Sequence, residues 1–333
     1  MPYSTLRDLV AIDSPSGYTE TACQYISDLL KSYGWQPEMT NKGAVKVALG
    51  ETPKCSIAAH VDTLGAIVTE INQDGTLRIS NVGGITLNGY EGAYCRVRTL
   101  DDQVYTGTLL LDNPAAHANR ELISTTRTLH NMHIRLDEVV ETQQDTEALG
   151  IQSGDFICFD TNYEETASGF IKSKYMDNKA GCYVLFEIAR RVKEAGLTLP
   201  VELFFSNYEE VGHGGTCGYA PSAKELLVID MGVVGKGCSG KETACSICAK
   251  DSSGPYDYNM RKKLVQLAKN LNIPFEMDVY PFYSSDGSAA LRAGNDFRVA
   301  LIGPGVSASH GVERTHKKGI EATIDLCMAY IQA

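Results

Sequence analysis

The run "FFSNYEEVGHGG" (204–215) sets two glutamates, Glu209 and Glu210, side by side where an apolar stretch gives way to glycines. Adjacent carboxylates at the end of a buried strand are costly unless something positive lies beside them. Four other segments deliver residues of a similar kind. "KCSIAAHVD" ends in His60 and Asp62, "KYMDNKAG" carries Asp177, "LLVID" ends in Asp230, and "VALIGPGVSASHG" leads to His310. Imidazoles and carboxylates are ligands that suit zinc, cobalt or manganese. Three carboxylates (Asp177, Glu210, Asp230) and two imidazoles (His60, His310) are about right for two divalent ions that share one bridging carboxylate. Two such ions, roughly 3.5–4 Å apart, can hold a hydroxide and polarise a carbonyl together. Glu209 is then free to take a proton from the water and pass it to a leaving amine. Asp62, two residues from His60 and so on the same face of a strand, can accept the second ring N–H. Taken singly, each residue has a plainer role. A buried histidine is usually a satisfied core residue, Asp177 and Asp230 suit helix caps, and paired glutamates suit a solvated face. The joint pattern favours a metal centre, because all five ligand candidates fall at strand ends or helix starts.

These residues need elements that bring them together. The first 35 residues read as helix, turn and helix, with "SPSG" (14–17) as the turn and Gly34 as the stop. Residues 54–62 read as a short buried strand. From Ile67 to about Asp160 the chain alternates apolar and polar residues between Asp-Gly, Gly-Gly and Asn-Gly turns, with a helical piece near "DTEALGI". After Lys174 an apolar stripe through Ala180, Val184, Leu185, Ile188 and Val192 predicts a helix. Strands "PVELFFS", "ELLVID", "EMDVYPF" and "FRVALIG" then alternate with helices at 257–272, 286–294 and 319–332. Such alternation argues an α/β fold with a parallel-rich sheet covered on both faces. In open sheets of this kind sites form beyond the carboxyl ends of the strands. Residues 1–66 and 168–333 are therefore expected to form one discontinuous α/β domain, and residues 67–167 an inserted β-rich domain.

Composition narrows the function further. The chain has 333 residues, 43% hydrophobic and 21% charged, as in a packed soluble protein of about two domains. A net charge of −11 disfavours a nucleic-acid partner. No secretory signal and no run of about 18 apolar residues is seen, so neither export nor a membrane span is expected. The ten cysteines are scattered, mostly in apolar segments, which suits a reduced, cytoplasmic protein. Cys245 and Cys248 form one C-x-x-C inside a strand-like run. Strand residues three apart point to opposite faces, so a structural zinc site is not expected there.

"AAHVDTLG", "KYMDNKAG", "NYEEVG", "LLVIDMG", "SSDGSAA" and "SASHGVE" resemble, in order and approximate spacing, the motifs of the M42 family of dinuclear metallo-aminopeptidases, the glutamyl aminopeptidase and TET-like enzymes. The resemblance covers nearly the whole chain. It implies that His60 and Asp230 hold one metal, Glu210 and His310 the other, and Asp177 both. Glu209 would be the general acid/base and Asp62 the outer partner of His60. It also implies a phosphorylase/hydrolase-like three-layer domain carrying a PDZ-like insert that makes dimer contacts, assembly into homo-oligomers up to tetrahedral dodecamers, and removal of N-terminal residues from short peptides. The cofactor expected is two divalent ions per subunit, zinc first, with cobalt or manganese as alternatives. The sequence departs from the pattern at Thr63, Tyr208 and Asn178, none of them a ligand candidate. In "SHGVERTH" two histidines compete, and His310 is preferred over His316 because Val312 and Glu313 follow it closely. His213, near the glutamates, is a pocket candidate only. His117, His130 and His133 fall in the insert. A metal-dependent deacylase or amidohydrolase acting on a small blocked amide is the alternative enzyme, and a non-catalytic binding protein is disfavoured because every expected ligand is present.

Overall fold

The computed structural model describes residues 3–333. The chain divides into two compact units, Met1–Thr63 with Asn162–Ala333, and Leu64–Thr161.

The first unit is built on a mixed sheet of 13 strands. Its centre is four parallel strands in the order Val201–Ser206, Cys55–His60, Glu225–Ile229 and Arg298–Ser307. Their register aligns the carboxyl ends: Ser206 lies opposite His60, and Ile229 opposite Ile302. Antiparallel strands flank this block. Val45–Ala48 pairs with Val201–Ser206, and Cys245–Asp251 pairs with Arg298–Ser307. Glu313–His316 runs antiparallel to Phe170–Ser173, with Ser173 opposite Glu313.

The central strands are buried on both sides, so successive residues enter different cores. Ile57, Leu203, Phe205, Leu227, Ile229 and Ile302 join one apolar cluster with helices Ser4–Ala11, Glu20–Ser32, Met176–Glu194, Tyr258–Asn270 and Lys317–Gln332. Ala58, Phe204, Leu226, Val228 and Leu301 join the other with Tyr219, Tyr280 and Ala290 of the helix Asp286–Arg292. The α/β expectation thus holds as three layers. Cys245 and Cys248 divide in the same way, one to each cluster. Burial pushes the Cys245 thiol up to about 12, which suits a small apolar side chain rather than a metal ligand.

In the second unit, the strands Gly65–Ile71, Leu77–Val82, Met132–Leu136, Val104–Leu111, Tyr94–Arg98 and Phe156–Phe159 close into an antiparallel barrel. Leu77, Val97, Leu109, Ile134 and Ile157 are fully buried in this unit. The first hairpin turns at Asp74-Gly75, where Gly75 has φ +81° and the Asp74 carboxylate accepts the Thr76 N–H. The helical piece near "DTEALGI" is the helix Gln143–Ala148, opened by a capping box between Thr142 and Asp145. Among the described residues no helix is long and apolar enough to cross a membrane.

One glycine fixes how closely two site-bearing strands meet. A Cβ on Gly303 would lie 1.6 Å from the main-chain oxygen of Asp230. Gly303→Ala should therefore cost about 3 kcal/mol or more in urea unfolding, since backbone cannot yield as a side-chain tip does. Wild-type stability in that variant would show that the two strands part freely.

Candidate metal centre

Parallel register delivers the polar residues to one edge of the first unit. His60 is the last residue of its strand, and Asp62 lies two residues beyond. Glu209 and Glu210 open a short 3-10 turn after Val201–Ser206. Asp230 directly follows Glu225–Ile229. Asp177 stands at the start of Met176–Glu194, where it and Asn178 have non-helical backbone and a cis peptide between them. Asn178 caps the turn instead, accepting the Gly181 N–H and donating to the Ile229 carbonyl oxygen. His310 sits in the turn between Arg298–Ser307 and Glu313–His316.

All six inner side chains converge. The Asp177 carboxylate stands between the two imidazoles, its Oδ1 3.2 Å from His60 Nε2 and its Oδ2 3.6 Å from His310 Nε2. Around His60 Nε2 lie Glu209 Oε2 at 3.8 Å and Asp230 Oδ1 at 4.0 Å. Glu210 Oε2 is 3.7 Å from His310 Nε2. One ligand atom each from His60, Asp177 and Glu210 lie within 4.8 Å of one another. His60 is buried, whereas the His310 side chain is 36% exposed.

A ring of outer carboxylates holds these residues largely by their backbone. Asp62 accepts the N–H groups of Glu209 (3.1 Å) and Glu210 (3.2 Å) and the Ser16 hydroxyl. Its carboxylate is 3.5 Å from His60 Nδ1, but its main-chain oxygen is closer, at 3.0 Å. The outer partner of His60 is thus first the Asp62 carbonyl. Glu313 accepts the N–H groups of Asp177 and His310, each at 3.0 Å. Asp286 accepts the Gly215 N–H at 2.6 Å and the Ser206 hydroxyl. Behind them the buried Lys179 ammonium donates to Ser14 Oγ at 2.6 Å, and Ser14 donates to the Val61 carbonyl. Burial pulls Lys179 down to about 8. The sequence marked "SPSG" only as a turn, Glu313 only as a landmark, and Asp286 only as part of a motif. Lys179 likewise appeared only within a motif, because its partners lie far off along the chain.

The electrostatics point to a cation. Burial and then negative neighbours push Glu209, Glu210 and Asp230 well above the usual carboxylate range. Among the charges acting most strongly on these three, only His60 opposes the shift. Burial also acts to raise Asp177, but hydrogen bonds from His310 and His60 outweigh it and hold the carboxyl low. Burial works against a charged His60, and its bonds to Asp177 and Asp62 overcome that and raise it. Glu210 Oε1 is buried with no hydrogen-bond partner among the described residues. Crowded oxygens, two imidazole nitrogens and an orphaned carboxylate oxygen fit a divalent cation, whose charge inverts this balance.

The remaining histidines separate cleanly. His316 caps the helix Lys317–Gln332: its Nδ1 accepts the Lys318 N–H at 2.9 Å, and its Nε2 meets the Ser168 carbonyl at 3.0 Å. Of the two histidines in "SHGVERTH", His310 is the one beside Asp177 and Glu210. His213 is exposed and stacks on Tyr208, ring centroids 5.1 Å apart.

With this geometry in view, the M42 glutamyl aminopeptidase family matches residues 43–326. The chain belongs to that family. Over 333 residues it is 42% identical to a Bacillus subtilis protein described as "putative aminopeptidase YhfE", covering 98% of this chain and 96% of that one. The TET aminopeptidase of a marine-sediment Thaumarchaeota archaeon shares its fold, with a TM-score of 0.88 at 20% identity over 99% of this chain and 97% of that one. The Pyrococcus horikoshii TET1 peptidase has a TM-score of 0.87 at 21% identity over 98% of both chains. This M42 member is a peptide hydrolase of the aminopeptidase type.

Two measurements test the site. His310→Ala should lower metal content, whereas His316→Ala should leave it unchanged and cost about 1 kcal/mol through the lost helix cap. Elemental analysis and urea unfolding separate them, and equal metal loss in both would show that the turn is misread. Chelator-treated protein should also be more stable in mild acid than above neutrality. Glu209, Glu210, Asp230 and His60 all have pKa values raised in the fold, so the folded state binds more protons than the unfolded. That stability is full near the ordinary carboxylate values and is lost as pH rises through the raised ones. Asp177, held low, already contributes fully above the ordinary range. Melting temperature in chelator should fall by several degrees between about pH 5 and about pH 8. A flat or rising profile would contradict the charge balance.

Proposed function

We propose that this M42 aminopeptidase is a dinuclear metalloenzyme that removes N-terminal residues from short peptides. The observation that carries this proposal is Asp177 held between two imidazoles, with Glu210 offering a buried, unpartnered oxygen to the same space. His60 and Asp230 would hold one ion, Glu210 and His310 the other, and Asp177 both. Zinc comes first, and cobalt or manganese suits the same donors. The chemistry that such ions would supply is a water acidified for attack and a polarised scissile carbonyl. Glu209 acts as the base. Its Oε2 lies on the His60 side of the cluster, and the Asp62 carboxylate fixes its main chain, so it can accept a proton and return it to the leaving amine. The open side of the cluster is at His310, whose exposure suits substrate entry.

The rest of the proposal rests on the family. The first unit is the catalytic unit, and the barrel is the counterpart of the PDZ-like insert, making dimer contacts. The TET1 peptidase is described as assembling into a tetrahedron or a large octahedral shell, which supports a dimer-built homo-oligomer, up to a dodecamer. Ten free cysteines, most of them buried, support a reducing, cytoplasmic setting.

The test is hydrolysis of aminoacyl chromogenic amides, short peptides and their N-acetylated counterparts by protein stripped with chelator and restored with zinc, cobalt or manganese. Metal-dependent release from free-amine substrates alone is expected. Turnover confined to the acetylated substrates would make the enzyme a deacylase. Glu209→Gln should keep its metal and lose about 10²–10⁴-fold in kcat, and near-normal turnover would remove its role. His60→Ala should lose metal, and full occupancy would show that it is not a ligand.

A further inference from the structure

We infer that Glu313 is a positioning residue that fixes the His310 half of the centre through the backbone. The inference rests on the dinuclear proposal above. Glu313 is 1% exposed and begins the strand Glu313–His316, which is paired with Phe170–Ser173. Its two oxygens serve different amides, Oε2 accepting the Asp177 N–H and Oε1 the His310 N–H. One buried carboxylate therefore ties together the two residues whose side chains approach to 3.6 Å. It does so without using either of those side chains.

The geometry asks for two acceptors. Both oxygens face backbone donors, and a glutamine has only one acceptor at its tip, with an NH₂ in place of the other. Burial and the neighbouring Asp177 charge work against an ionised Glu313, and the two N–H bonds that it accepts work the other way. The two anchored residues also differ in what else holds them. Asp177 opens a helix and touches both imidazoles. His310 lies in a turn with φ +61°, a left-handed conformation uncommon for a residue other than glycine. The loss of Glu313 therefore falls on His310.

The experiment is a metal titration by calorimetry of chelator-stripped wild type, Glu313→Gln, His310→Ala and the double variant, with melting temperatures of the metal-free proteins. Wild type should bind two zinc ions. Glu313→Gln should weaken by tenfold or more the same step that His310→Ala removes, and should leave the other step within about threefold. In the His310→Ala background, Glu313→Gln should change the remaining step by less than threefold, because it acts through a residue already gone. Equal weakening of both steps, or losses that simply add, would overturn the inference and make Glu313 a general stabiliser. Two unchanged steps in Glu313→Gln would overturn it and leave the dinuclear proposal standing. Fewer than two ions on wild type would overturn both. Should Glu313→Gln fail to fold, Glu313→Asp makes the same comparison: it keeps both acceptors on a shorter arm and should show the same step-selective loss.

Discussion

Like charge crowded into a nearly dry volume is the constraint on which the rest of the structure depends. Asp177, Glu209, Glu210 and Asp230 stand within reach of one imidazole or the other, and their side chains are only 4–14% exposed. No chain would keep four carboxylates there on its own account, because each ionised group loses its water and gains a like-charged neighbour. His60, raised by its bonds to Asp177 and Asp62, supplies part of the compensation. In the proposed enzyme, divalent ions would supply the rest, and His60 would take the neutral form that ligates. The same repulsion that destabilises the metal-free fold is what would make the centre bind metal strongly.

Holding such a cluster together calls for restraints that do not compete with the metal for side-chain atoms. The structure meets this need with main-chain hydrogen bonds. Asp62 grips the amides of Glu209 and Glu210, Glu313 those of Asp177 and His310, and Asp286 that of Gly215. The inner carboxylates point inward because their backbones are fixed from behind. Asp62 and Glu313 are themselves among the most buried polar side chains of the unit, so their own orientation is set by packing. The close approach of Gly303 to the Asp230 carbonyl serves the same end from the sheet.

How much of this could be read from the chain follows from the range of each interaction. Strand and helix signals are local, and they gave the parallel α/β block with His60, Glu209, Glu210 and Asp230 at its carboxyl ends, along with the β-rich interruption. Cys245 and Cys248 parted to opposite cores for the same local reason, the two-residue period of a strand. Closure of the insert into a barrel was not legible, because it depends on Ala66 finding Ile157 across more than 90 residues. Beyond Asp62 as a partner of His60, the outer ring was illegible for a like reason. Ser16 meets Asp62, and Glu313 meets Asp177, through contacts that no spacing announces. The task of His316 was not legible either: the helix Lys317–Gln332 needs a partner for a first-turn N–H, and His316 supplies it.

The two halves of the cluster also differ in kind, and that difference bears on how such a site could work. His60 and Asp230 belong to the ends of central strands, buried on both faces, where position is fixed by the whole sheet. His310 belongs to a turn, is partly exposed and adopts a strained backbone. A centre that must admit a peptide, react and release it needs one side that does not move and one that can be reached. The sheet supplies the first and the turn the second. Glu313 stands at the junction, on a paired strand yet bonded to the turn. The accessible side is thereby held in place without being buried, which is the compromise that a metal centre open to substrate requires.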